Sequence, residues 1–191
     1  MSRETTQLYF VARQPKFRQS VQYPRRPARL AGMQLASSVH IRRSPEHVWA
    51  YLGDISNVAV WDRGVSRSEP IPGTPPGVGF EFVTFAHPRG SSADGTWGKV
   101  SYRITEIDPG RGCTIQLTSA TGNARYFKSA EWLFRVEAEQ EGSRVFCAAV
   151  FMLKWRYLVL APVFLGMKRA IRTDLEQLKA KLESARALKN A

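Results

Sequence analysis

One pattern near the C-terminus constrains the chain more than any other feature. Phe164, Met167, Ile171, Leu175, Leu178 and Leu182 follow one another at intervals of 3, 4, 4, 3 and 4 residues. That spacing is a single apolar stripe and predicts an amphipathic helix from about Ala161 to Ala185. Lys168, Arg169, Arg172, Glu176, Lys179 and Lys181 fall off the stripe, so only one face seeks burial. At 1.5 Å per residue such a helix is roughly 33 Å long, enough to cross a sheet. The stripe is too short for a self-sufficient coiled coil, which favours packing on a sheet.

The sheet is legible upstream. Leu35, Val39 and Ile41 share one parity, with Ser38, His40 and Arg42 on the other, a half-buried strand. Six further runs follow: Gly64–Pro70, Val78–Phe85, Gly98–Ile107, Cys113–Ser119, Phe127–Glu137 and Ser143–Leu153. Turn-forming Gly, Pro, Asp and Asn separate them, which argues for an antiparallel meander. After the first strand, Ser44-Pro45-Glu46 reads as a helix start, with Ser capping and Pro in the first turn. Val48, Trp49 and Leu52 give a short apolar side, and Gly53 ends it before a second helical piece over Ile55–Trp61. The expected fold is α+β: a curved seven-stranded antiparallel sheet around a long C-terminal helix, with two short helices after the first strand. One helix cannot cover both faces of so wide a sheet, so the sheet should curl and leave a wedge-shaped space toward the short helices.

Charge is uneven. Of the net +12, half sits in residues 1–32, where seven Lys or Arg face one acid. Those residues read as a basic, disordered extension, with 33–185 as the folded domain and 186–191 as a tail. Nucleic acid is not an expected partner, because no zinc spacing, RNA-binding signature or helix-turn-helix pattern accompanies the charge. No secretory signal is evident, and the apolar run Tyr157–Met167 falls far short of the roughly 20 residues a spanning helix needs. A cytoplasmic location is expected, or a mitochondrial one if the Arg-rich extension is a transit peptide. Cys113 and Cys147 read as small buried hydrophobes in a reducing compartment. No metal spacing, nucleophile elbow or phosphate-binding loop is present, so no metal or cofactor is expected. The oligomeric state stays open.

Several segments are similar to the START-like superfamily, also called SRPBCC. They are Val39–Trp49, Ile55–Val65, Gly142–Val145 and Asp174–Lys179, and the likeness spans about residues 33–185. That superfamily includes polyketide cyclase/dehydrase-like proteins, lipid-transfer domains and pollen-allergen-type binders. The resemblance implies the helix-grip fold and an apolar small molecule held between sheet and helix, with a cyclase or dehydratase in the same cavity as the alternative.

Strand parity nominates the lining. Phe80, Phe82, Tyr102, Ile104, Leu117, Trp132, Phe134 and Phe151 face the expected hollow. Trp61 joins them from the second short helix, and Phe164, Met167 and Ile171 from the long one. For acid–base work the candidates are His87, at the expected mouth, Asp62 beside Trp61, and Tyr102 as the polar tip of the lining. His40 and His47 are expected at the surface, and Glu81, Glu131 and Arg135 to be solvated. Arg125 and Tyr126 begin a strand near the opening. The basic and aromatic run Lys154–Leu160 either touches an anionic bilayer transiently or buries Leu158 and Leu160 under the sheet rim.

Overall fold

The computed structural model describes residues 33–87, 98–120, 126–160 and 166–187. Seven antiparallel strands form one sheet in the order β1-β7-β6-β5-β4-β3-β2. They are β1 (Met33–Ile41), β2 (Val65–Pro70), β3 (Glu81–Ala86), β4 (Lys99–Asp108), β5 (Gly112–Ala120), β6 (Phe127–Glu139) and β7 (Gly142–Leu153). From β2 to β7 each strand pairs with its successor, and β1 adds to the far edge of β7. Helix α1 (Pro45–Leu52), a 3₁₀ turn (Ile55–Asn57) and helix α2 (Val58–Trp61) carry the chain from one edge strand to the other. Ser44 Oγ accepts the His47 N–H at 3.4 Å, and Asp54 accepts the Ser56 N–H at 2.9 Å, so both helical entries are capped by the residues the sequence offers.

Helix α3 (Met167–Ala187) lies along the sheet, packed mainly on β1. Its expected first turn and Phe164 lie outside the described residues. The second half is clamped. Leu175, Leu178 and Leu182 are 1%, 0% and 2% exposed, packed with Val48 and Trp49 of α1 and with Val39, Val136 and Val145 of the sheet. Burying each such leucine contributes about 1.5–3 kcal/mol. The Arg43 guanidinium donates to the carbonyls of Leu182 at 2.8 Å and Glu183 at 3.5 Å. A cation there also suits the negative end of the helix dipole. At the same end β7 starts so close to β1 that a Cβ on Gly142 would stand 2.2 Å from the Ile41 carbonyl oxygen. Only glycine fits.

The first half of α3 is looser. Met167 and Ile171 stay half-buried, packed toward Leu35, Ala130 and Phe151. The wedge of space was expected toward the short helices, and a small cavity does lie there, between Trp61 of the second short helix and Ile171 and Leu175 of α3. Val48 and Trp49 of α1 are buried and fill the space beside that helix.

Candidate functional site

Alternation along the strands aims the expected side chains inward. On β7, Val145, Cys147, Ala149 and Phe151 are buried, while on β6 Trp132 and Phe134 remain half-buried beside buried Ala130 and Val136. A row of rings crosses the concave face. Phe80 stacks on Phe82 at 6.4 Å, Phe82 on Tyr102 at 5.3 Å, and Tyr102 meets the edge of Trp132 at 5.2 Å. Trp132 in turn meets Phe151 at 5.4 Å. Ile104 packs with the first two rings, and Leu117 with the last two. These offset and edge-to-face contacts are the favoured aromatic geometries.

Trp61 comes in from α2 and sets its ring against Phe134 at 6.1 Å. With Asp62, Trp132, Phe134, Cys147, Ile171, Asp174 and Leu175 it encloses a cavity of about 50 Å³. That is room for a water or two, against the roughly 300–1,000 Å³ of ordinary ligand pockets. The hollow among the described residues is thus narrower than sheet curvature suggested, because the rings occupy it. The indole Nε1 of Trp61 is buried with no hydrogen-bond partner among the described residues.

The polar groups converge here. Asp62 accepts the Gly64 N–H at 2.8 Å, and Asp174 accepts the Arg63 N–H at 3.3 Å. Burial, then the charge of Asp174, pushes the Asp62 carboxyl up to about 6 against the pull of the Gly64 N–H and His87. Burial also raises Asp174. Tyr102 is raised by burial and by Asp62, and its hydroxyl shares a hydrogen bond with Thr84. Burial pushes Cys113 and Cys147 up to about 12, so both thiols stay protonated and behave as small apolar groups. Asp62 therefore exchanges its proton near pH about 6, as a donor below that and an acceptor above it, beside a second carboxyl whose acidity burial also weakens.

All three acid–base candidates come within electrostatic reach of one another at Asp62: its charge raises Tyr102, and His87, exposed just past β3, pulls the Asp62 carboxyl down. His40 faces outward, its Nε2 3.2 Å from the Gln140 carbonyl, and His47 is exposed. Glu81, Glu131 and Arg135 differ from the solvated state expected of them. Arg103 pairs with Glu81, Arg135 donates to Asp108 at 2.8 Å, and Glu131 is half-buried with its carboxyl raised by burial. The sequence reading missed Asp174 as a site residue. The signal was its position three residues after Ile171 and four before Leu178, which sets a charge on the apolar stripe. A second, solvent-open groove of about 390 Å³ at the β4–β5 hairpin has its polar groups bonded to one another: Arg135 to Asp108, Thr114 to Glu106. Arg125 lies outside the described residues. No helix among the described residues is long and apolar enough to cross a membrane.

The sequence model of one protein family, described as polyketide cyclase / dehydrase and lipid transport, matches residues 33–183. The curated proteins contain no match. Solved structures do resemble this one. TTHA0849 from Thermus thermophilus superposes with a TM-score of 0.64 at 16% identity, covering 80% of this chain and 99% of that one. Ara h 8.0201 gives 0.61 at 13% identity, over 80% and 99%. XoxI from Bacillus cereus gives 0.56 at 16%, over 80% and 97%. These likenesses establish the fold.

Proposed function

The chain belongs to the polyketide cyclase/dehydrase and lipid transport family of the START-like superfamily, and from that premise we propose that it binds an apolar small molecule between the sheet and the first half of α3. The observation that carries this reading is the set of inward-facing side chains that stay half-buried: Tyr102, Leu117, Trp132, Phe134, Met167 and Ile171. A finished core would bury them, as it buries Leu175 and Leu178. Pockets for small molecules are largely apolar with a few polar groups that orient the guest. Here the bulk of the guest lies along the rings, and its tip reaches Asp62 and Asp174. Two carboxyls favour a tip that can donate a hydrogen bond, such as a hydroxyl or an amine.

The test is a fluorescence titration with N-phenyl-1-naphthylamine, a neutral aromatic dye bearing one N–H. Saturable 1:1 binding is expected, weakened on the order of tenfold by Trp132→Arg, since a charge in the apolar row must be desolvated. A dye that does not bind, or binds both proteins equally, contradicts the reading.

A second reading has its own observation. Asp62, held near 6 beside a second carboxyl, is tuned for general acid–base work, as a cyclase or dehydratase requires. Asp62→Asn that retains dye binding but abolishes product formation from a linear poly-β-keto compound supports it. Unchanged turnover removes it.

A further inference from the structure

We propose that the 3₁₀ turn Trp155–Leu160 is a docking surface for an anionic lipid bilayer. Trp155 is 84% and Leu158 59% exposed, so the alternative of burying Leu158 under the sheet rim does not hold. With three residues per turn, positions i and i+3 of a 3₁₀ helix eclipse, which sets Trp155 and Leu158 on one face. The turn is anchored from behind. The Lys154 N–H donates to the Tyr126 carbonyl at 3.0 Å, the Tyr157 N–H to the Lys154 carbonyl at 2.8 Å, and the Tyr157 ring meets Tyr126 edge-on at 4.7 Å. The exposed pair is therefore presented on a fixed base, and little ordering remains when it inserts.

Charge says what it meets. From Lys154 to Thr173 there are five Lys or Arg and no Asp or Glu. Arg156 lies 5.0 Å from the Tyr157 ring centre, and Lys168, Arg169 and Arg172 are exposed at the start of α3. The opposite end of the sheet is mixed instead, with Glu106, Asp108, Glu137, Glu139 and Glu141 near the β4–β5 and β6–β7 turns beside Arg111, Arg135 and Arg144, the last two paired with Asp108 and Glu139. One end of the molecule is thus basic and carries a Trp–Leu pair. Anionic lipid satisfies both halves, through headgroup attraction and an interfacial aromatic. Nucleic acid would satisfy the charge and leave the leucine without a role. This surface follows β7 and precedes α3 in the chain, and it stands whether or not the hollow takes a ligand.

The experiment is co-sedimentation of the full chain with phosphatidylcholine vesicles, either plain or carrying about 30% phosphatidylserine. Wild type is expected to bind the anionic vesicles more strongly than the plain ones. Binding should fall on the order of tenfold in W155A/L158A, from lost apolar burial, and comparably in K168E/R169E, from reversed charge. All four side chains are exposed, so melting temperatures should match wild type. The proposal is overturned if W155A/L158A binds as wild type does, which would assign the binding to the basic residues 1–32. It is also overturned if wild type ignores anionic vesicles, or if the Trp–Leu pair proves to hold two copies of the chain together by sedimentation equilibrium.

Discussion

Asp174 Oδ1 accepts the backbone N–H of Arg63 at 3.3 Å, and this bond ties the long helix to the turn that carries Asp62. It brings two carboxyls to one apolar cavity. The Asp62 carboxyl is raised from an ordinary 3.8 to about 6, so the folded state holds the proton more tightly than the unfolded chain does. The stability this gives is full below pH about 4 and lost as pH rises through about 6, amounting to up to about 3 kcal/mol. In urea melts at pH about 4.5 and 7.5, wild type should therefore lose stability relative to Asp62→Asn, which stays neutral throughout. Parallel pH profiles for the two proteins would show that folding does not raise the Asp62 pKa.

Leu175 is 1% exposed where α3 presses on the sheet and α1. Leu175→Asp buries an unpaired charge there and should cost more than about 4 kcal/mol. A melting temperature equal to wild type would mean that the helix does not pack as described.

Gly142→Ala probes the close approach of β7 and β1. The added Cβ meets the Ile41 carbonyl oxygen at 2.2 Å, so one strand must shift, with an expected loss of about 2 kcal/mol or more. Urea denaturation measures it. A loss below about 0.5 kcal/mol, the range of ordinary surface changes, would remove the steric argument.

Cys113 and Cys147 are free thiols with their acidity suppressed by burial. Neither should react with a disulfide reagent such as dithionitrobenzoate in native buffer at pH about 8, and both should react in denaturant. Fast labelling of the native protein would place one of them at an accessible site.

The strands of the inner face were readable because burial on one side of a sheet imposes a period of two. Trp132, Phe134 and Val136 on β6, and Val145, Cys147, Ala149 and Phe151 on β7, follow from that rule alone. Leu175, Leu178 and Leu182 follow in the same way from the helical stripe. Asp174 was harder, since a carboxylate on an apolar stripe is indistinguishable from a flanking charge until the turn at Arg63 supplies its hydrogen bond. The size of the hollow was not readable. It depends on how the rings of Phe82, Tyr102, Trp132 and Phe151 share one space, and this is set by packing across four strands that no local pattern encodes.

Native mass spectrometry of the protein purified from its own host tests the central claim most directly. A 1:1 adduct that survives gentle desolvation, is lost on denaturation and is absent from Trp132→Arg is the predicted result. A bare polypeptide mass under every gentle condition, unchanged by that substitution, would mean that the rings simply complete a core.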